Sequence, residues 1–157
     1  VVLGAGGAAR AVLVALQDQG VGRIWLANRT LSRAKGLAAE LAQGAQIEAL
    51  DWDAAEDLLD QEAMPLIINT SSRGMKGENP ITCGLAAQGP GTVVNDIVYN
   101  PLQTALLETA SERGCRIVDG LGMLLHQARP AFQAFFGARV EVDAGLRQKV
   151  ERNMGLV

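Results

Sequence analysis

The stretch that decides the fold is Val1-Val2-Leu3-Gly4-Ala5-Gly6-Gly7-Ala8-Ala9, an apolar run that passes directly into glycines. The residues that follow predict a helix over Ala8–Gln19. This order of strand, glycine turn and helix is typical of a βαβ unit that holds the phosphates of a dinucleotide. Gly4 allows the tight turn, Gly6 keeps side chains away from a pyrophosphate, and the helix N-terminus offers backbone N–H groups to the phosphates. Glycines are common in loops, so this interpretation depends on the strand and helix that flank them.

The second motif is Asn28-Arg29-Thr30-Leu31-Ser32-Arg33. NAD-specific folds usually place an acidic residue near the end of the second strand, but the predicted strand Arg23–Asn28 contains none. Arg29 and Arg33, with the Thr30 hydroxyl, suit a 2′-phosphate, because a guanidinium binds phosphate through parallel N–H bonds. The alternative is that both arginines are solvated surface charges. Positive charge is disfavoured at a helix N-terminus, however, so the motif favours a bound anion and predicts NADP.

The composition indicates one domain with a hydrophobic core, since 48% of the 157 residues are hydrophobic. A net charge of −3 with scattered basic residues argues against a nucleic-acid partner. No apolar run approaches the roughly 20 residues of a membrane span. Cys83, Cys115 and the single His126 lack metal-ligand spacing, so no metal site is predicted, and unpaired thiols favour the cytoplasm. No methionine precedes Val1, so we expect a fragment of a longer protein.

Apolar strands and amphipathic helices alternate along the chain. The predicted strands are Val1–Gly4, Arg23–Asn28, Ala45–Leu50, Leu66–Asn69, Thr92–Ile97 and Arg116–Val118. The predicted helices between them are Ala8–Gln19, Ser32–Ala42, a segment from an Asp51 or Asp53 cap to Leu59, and Thr104–Arg113. Short strands joined by helices require right-handed crossovers and a parallel sheet. The sequence therefore predicts a doubly wound α/β domain of the Rossmann-like type.

Two further helices are predicted at residues 121–157, over Leu121–Phe136 and Ala144–Met154, the second capped by Asp143. The first is apolar on more than one face, with Phe132, Phe135 and Phe136 near its end. A helix that is apolar on several faces needs neighbours on several sides. We therefore expect an apolar patch that packs toward a missing N-terminal substrate domain or joins two copies of the chain in a homodimer.

Ligands of open α/β sheets lie at the carboxyl ends of the strands, where this chain places polar residues, glycines and two methionines. The segments that follow these strands include Asn69 to Met75, Asp96 to Pro101 and Asp119 to Met123. Met75 and Met123 are either core filler or groups that pack on a nicotinamide or substrate.

These segments strongly resemble the NADP-binding domain of the shikimate dehydrogenase family. The resemblance extends from the first residue to about Phe136. It rests on Gly4 to Arg10, Asn28-Arg29-Thr30 with Arg33, Asn69 to Met75, Asp96-Ile97-Val98-Tyr99-Asn100-Pro101-Leu102 with Thr104, and Asp119 to Gln127. The resemblance implies that this chain is the cofactor-binding half of an enzyme that reduces 3-dehydroshikimate to shikimate with NADPH.

The resemblance also implies roles for individual residues. The pyrophosphate would be held by Gly4, Ala5, Gly6, Gly7 and Ala8, and the adenosine 2′-phosphate by Asn28, Arg29, Thr30 and Arg33. Gly120 and Met123 would line the nicotinamide pocket, with Ser71 near the nicotinamide half of the site. Asn69, Thr70, Ser72, Met75 and Ile97 would complete the cofactor-binding set. Tyr99 and Gln127 would reach the substrate. Arg73 departs from the small residue that is usual before the Gly-Met pair, and Ser71 replaces the usual Thr.

The family's catalytic Lys and Asp belong to its N-terminal substrate domain. None of Lys35, Lys76 and Lys149 lies in the family's lysine motif, and His126 matches a helix position rather than a base. We therefore expect this chain to bind NADP without turnover. Two alternatives stay open. One is a paralogue of the same family that also acts on quinate or accepts NAD, although the arginine pair argues against a preference for NAD. The other is a stand-alone NADP-binding module without catalysis.

Overall fold

The computed structural model describes residues 1–42 and 44–156, and within them strands and helices alternate. The strands are β1 (Val2–Leu3), β2 (Arg23–Ala27), β3 (Gln46–Leu50), β4 (Leu66–Asn69), β5 (Val93–Asp96) and β6 (Arg116–Val118). The helices are α1 (Gly7–Asp18), α2 (Leu31–Glu40), α3 (Trp52–Gln61), α4 (Ala105–Glu112), α5 (Leu121–Phe136) and α6 (Ala144–Met154). The predicted elements are all present, with ends that differ by one or two residues, as is common for helix and strand termini.

The six strands form one sheet in the order β3-β2-β1-β4-β5-β6, and every neighbouring pair is parallel. This arrangement confirms the predicted doubly wound fold. Leu3 of β1 pairs with Ala27 of β2 on one side and with Asn69 of β4 on the other. The chain order reverses at β1, and ligands of such sheets bind in the crevice beside this switch point.

Each face of the sheet carries its own hydrophobic core. One core contains Leu13 of α1 and Leu37 of α2, which pack with β1 and β2 side chains. The other contains Leu59 of α3 and Leu106 of α4, which pack with Ile67 of β4 and other strand residues. Because both faces are covered, β1 and β4 are apolar apart from Asn69 at the end of β4.

Side-chain caps fix where three of the helices begin. Asp51 accepts a hydrogen bond from the Ala54 N–H at 2.9 Å, so Asp51 rather than Asp53 caps α3. Asp143 caps α6 in the same way through the Leu146 N–H at 2.7 Å, as predicted. Thr104 caps α4 through the Leu107 N–H.

The C-terminal helices lie largely outside the two cores. Only Leu121 and Leu125 of α5 are buried, and the described α6 buries no residue. Phe132, Phe135 and Phe136 are 40%, 83% and 71% exposed, so the predicted apolar patch is present. A bidentate ion pair from Arg147 to Asp119 joins α6 to the connection between β6 and α5. Across the described residues, no helix has the length and hydropathy needed to cross a bilayer.

Candidate functional site

The glycine turn after β1 begins with a residue that the fold itself requires to be glycine. Gly4 adopts a φ of +106°, which favours glycine. A Cβ at Gly4 would lie 2.9 Å from both the backbone N of Ser71 and the Oγ1 of Thr70. Thr70 in turn donates its hydroxyl to the Leu3 carbonyl at 2.9 Å. The turn therefore packs closely against the end of β4.

Gly6 and Gly7 behave differently, because a Cβ at either position would meet no atom within 4 Å. Gly6 is the N-cap of α1, but no side chain caps this helix and its first turn carries no acidic residue. Helix N-termini without a cap present backbone N–H groups and a partial positive charge. This end of α1 is thus open and chemically suited to a phosphate.

Asn28 connects the glycine turn to the arginine motif. Its Oδ1 accepts a hydrogen bond from the Ala5 N–H at 3.2 Å, and its Nδ2 donates to the Thr30 carbonyl at 3.0 Å. The oxygen and the nitrogen of the side-chain amide therefore both form hydrogen bonds within the protein. Asn28 holds the two loops at a fixed spacing and positions the residues that flank it.

Arg29 and Arg33 lie exposed at the start of α2, in a cavity of about 490 Å³ that also contains the glycine turn. Among residues 1–42 and 44–156, neither guanidinium forms an ion pair, whereas Arg10 on α1 is paired with Glu40. Thr30 is the N-cap of α2, yet its hydroxyl makes no capping hydrogen bond. Two cations and a hydroxyl thus face one open space.

The remaining lining of this cavity comes from the start of α3 and the loop after β4. Its lining residues there are Trp52, Thr70, Ser71, Ser72, Arg73 and Glu78. The Arg73 guanidinium lies over the Trp52 ring, with its Cζ 4.5 Å from the ring centroid.

Asn69 lies beneath that loop and is fully buried. Its Oδ1 accepts hydrogen bonds from the Ser71 hydroxyl at 2.7 Å and the Ser71 N–H at 3.0 Å. Its Nδ2 donates to Asp96 Oδ1 at 2.8 Å and to the Arg73 carbonyl at 3.1 Å. Every donor and acceptor of the Asn69 side chain is therefore used within the protein, on the loop and on Asp96. Asn69 can affect a ligand only through the positions of Ser71 and Arg73.

Asp96, at the end of β5, is the centre of this buried network. Besides Asn69, it accepts hydrogen bonds from the Val98 N–H at 3.0 Å and from the Thr104 hydroxyl at 2.7 Å. Burial raises the pKa of the Asp96 carboxyl, while the hydrogen bonds from Thr104, Val98 and Asn69 act in the opposite direction. The network joins the end of β4, the end of β5 and the start of α4.

The remaining predicted residues lie outside the lining of this cavity. Gly120 is buried against the end of β5, where a Cβ would come within 2.2 Å of the Ile97 carbonyl oxygen. Met75 and Gln127 are exposed, and Ile97, Tyr99 and Met123 are half-buried. The cavity therefore gathers the arginine motif, the first part of the glycine turn and the loop after β4. The residues predicted for the nicotinamide pocket and for the substrate lie outside its lining.

The family model for shikimate / quinate 5-dehydrogenases matches residues 1–79, which include the glycine turn, the arginine motif and the loop after β4. The chain belongs to this family. A shikimate dehydrogenase (NADP(+)) of Paracoccus denitrificans is 48% identical over 149 residues, covering 95% of this chain and 51% of that protein. The chain thus spans about half the length of the curated relatives it matches.

Solved structures of the family show the same fold. Quinate dehydrogenase from Corynebacterium glutamicum in complex with NAD is 30% identical with a TM-score of 0.82, covering 96% of this chain and 54% of that one. Shikimate 5-dehydrogenase from Thermus thermophilus in complex with NADP(H) and shikimate is 31% identical with a TM-score of 0.76, covering 96% and 53%.

Trp52 and Glu78 line the cavity but were not predicted from the sequence. Arg73 was noted only as a departure from the family pattern. Trp52 lies two residues after the end of β3, directly behind Asp51, the N-cap of α3. The rule that ligands lie at strand ends would therefore have found it. Glu78 carries no comparable signal, because it lies in a loop whose path the sequence does not determine.

Proposed function

We propose that the chain is the NADP-binding half of a shikimate dehydrogenase, an oxidoreductase that reduces 3-dehydroshikimate to shikimate. The observation that carries this proposal is the cavity of about 490 Å³ in which the open end of α1 and the pair Arg29 and Arg33 face the same space. The relative from Paracoccus denitrificans is named for NADP(+), which supports the choice of cofactor. When bound, NADPH would supply the hydride for the reduction.

The residues present fit the parts of this cofactor. The pyrophosphate is assigned to the glycine turn, Gly4, Ala5, Gly6, Gly7 and Ala8, because Gly6 and Gly7 leave room and α1 offers N–H donors. The 2′-phosphate is assigned to Arg29, Thr30 and Arg33, with Asn28 holding their loop. The nicotinamide side is assigned to Met75, Ile97, Gly120 and Met123, which lie outside the cavity lining. Thr70, Ser71 and Ser72 are assigned to the cavity wall that they line, and Asn69 supports that loop.

The substrate is assigned to Tyr99 and Gln127, whose hydroxyl and amide can exchange hydrogen bonds with the hydroxyls and carboxylate of shikimate. No catalytic residue is proposed within this chain. Proton transfer is assigned to a lysine and an aspartate of the family's substrate domain, so residues 1–157 alone are expected to bind cofactor without turnover.

Calorimetry with NADP⁺ and NAD⁺ tests the cofactor assignment. Charge-assisted hydrogen bonds contribute roughly 1.5–3 kcal/mol each, so Arg29→Ala is expected to weaken NADP⁺ binding about tenfold or more and to leave NAD⁺ binding nearly unchanged. Lys35→Ala is the matched control, because Lys35 is an exposed cation on α2, just after the arginine motif, and does not line the cavity. Equal losses for both cofactors would contradict a 2′-phosphate site.

A quinate dehydrogenase that uses NAD is the second candidate, and the likeness to the Corynebacterium glutamicum structure favours it. Arg29 and Arg33 argue against an NAD preference, because NAD has no phosphate for them to bind. The same calorimetry separates the two: tighter binding of NAD⁺ than of NADP⁺ by the unaltered chain would support the second candidate.

We also propose that two copies of the chain associate through α5 and α6. The support is the exposed aromatic surface of Phe132, Phe135 and Phe136, which can pack on its own copy, since apolar patches of this kind mark interfaces. Sedimentation across a concentration series is expected to show dimers that Phe135→Ser with Phe136→Ser abolishes. Val14→Ser, at an exposed valine on α1, is expected to have no effect. Monomers throughout the series would contradict the proposal. A cytoplasmic location stays a prediction.

A further inference from the structure

Arg73 and Trp52 form a pair at the edge of the cavity that none of the assignments above uses. Trp52 is the first residue of α3, and Arg73 lies in the loop after β4. The guanidinium Cζ lies 4.5 Å from the centre of the indole ring, a distance typical of a cation–π contact. Both residues line the cavity that holds Arg29 and Arg33.

Hydrogen bonds at the outer ends hold both planar groups in place. The Arg73 Nη2 donates to the Pro80 carbonyl at 3.0 Å. The Trp52 Nε1–H donates to Glu56 Oε1 at 2.7 Å. Arg73 is also fixed through its backbone, because its carbonyl accepts from Asn69 Nδ2 and its N–H donates to the Ser71 hydroxyl. These hydrogen bonds hold the guanidinium and the indole ring in fixed positions against each other.

The position of Arg73 separates its role from that of Arg29 and Arg33. Those two arginines lie exposed at the start of α2 and are assigned to the 2′-phosphate, whereas Arg73 is half-buried against an aromatic ring and lies in the loop after β4. Within the described residues Arg73 has no carboxylate partner. A guanidinium that lies on one aromatic ring is well suited to stack on a second one, since its plane is delocalised and weakly hydrated.

From this geometry we propose that Arg73, supported by Trp52, is the surface on which the adenine ring of the bound dinucleotide stacks. This inference rests on the proposed dinucleotide binding and adds the residues that recognise the base. Every nucleobase has a π-face, so this contact contributes affinity for the adenosine group without reading the 2′-phosphate.

Fluorescence tests the position of the base. The chain has two tryptophans, so Trp25→Phe leaves Trp52 as the single reporter. We expect 2′,5′-ADP to change Trp52 emission, because it carries the adenine and the 2′-phosphate. Nicotinamide mononucleotide, which lacks both groups, is expected to leave it unchanged. Unchanged emission on saturation with 2′,5′-ADP would overturn the proposal.

Calorimetry on Arg73→Leu tests the nature of the contact. The loss of stacking is expected to weaken NADP⁺ and NAD⁺ binding by the same factor, about fivefold or more. Arg73→Lys keeps the charge but lacks the plane, so it is expected to lose most of the same affinity. A loss confined to NADP⁺ would make Arg73 a phosphate ligand, and no loss would leave it structural; either result overturns the proposal. Failure of the unaltered chain to bind either cofactor would instead contradict the proposed function.

Discussion

The two sides of the sheet's carboxyl edge are built in opposite ways. On the adenosine side, at the ends of β1, β2 and β3, Arg29 and Arg33 are exposed and form no ion pair within the described chain. On the other side, at the ends of β4 and β5, Asn69, Asp96 and Thr104 are buried and hydrogen-bonded to one another. The two arginines thus add no ion pair to the described fold. The buried group joins the end of β4, the end of β5 and the start of α4.

This difference indicates that affinity and stability reside in separate places along one edge. Charges left unpaired around an open cavity are suited to a ligand that arrives with the opposite charge. A buried carboxylate satisfied by neighbouring donors rigidifies the loop it serves, and removal of one partner leaves the others unsatisfied. The predictions below follow this division.

The largest effect is expected from two glycines of the same turn. Gly4→Ala would place a methyl group 2.9 Å from backbone N of Ser71 at a positive φ, so we expect a loss of about 3 kcal/mol in unfolding free energy. Gly6→Ala meets no atom within 4 Å and is expected to leave stability nearly unchanged. Its methyl group would instead enter the space assigned to the pyrophosphate.

Urea unfolding and NADP⁺ calorimetry on both variants measure this contrast. We expect Gly6→Ala to weaken NADP⁺ binding without a change in the urea midpoint. A destabilised Gly6→Ala chain, or a Gly4→Ala chain of unaltered stability, would show that the turn does not divide as the geometry indicates.

A smaller effect is expected from the pH dependence of the buried network. Because burial raises the pKa of Asp96 in the folded chain, its contribution to stability is present below its ordinary pKa near 4 and is lost as the pH rises through the raised value. Asp96→Asn removes this titration and keeps an acceptor for Asn69 and Val98. The stability of the variant relative to the parent chain is therefore expected to increase as the pH rises from about 4.

Urea unfolding between pH 3.5 and about pH 7 checks this trend. Asp57→Asn, at an exposed carboxylate on α3, is the matched control and is expected to show no comparable trend. A relative stability of Asp96→Asn that falls with pH would mean that the hydrogen bonds outweigh the burial of the charge.

The sequence predicted the sheet, the helices and the family, because strand-turn-helix patterns and strand-end motifs are local signals. It also predicted that the Phe132–Phe136 region would be exposed, which the structure confirms. It did not predict that the side-chain amides of Asn28 and Asn69 form hydrogen bonds within the protein. The Asn28–Ala5 and Asn69–Asp96 bonds join segments that are distant in the sequence. The pairing of Arg73 with Trp52 was missed for the same reason: it depends on how two distant loops meet.

The central claim is that the exposed arginines after β2 serve binding and the buried network around Asp96 serves folding, and one paired measurement tests it. Arg33→Ala and Thr104→Val are each measured by urea unfolding and by NADP⁺ calorimetry. Arg33→Ala is expected to weaken binding about tenfold and leave stability unchanged. Thr104→Val removes the hydroxyl that donates to Asp96 and caps α4, so it is expected to cost about 1–2 kcal/mol of stability with little change in affinity. If either variant lost both properties together, or neither, the division would be contradicted.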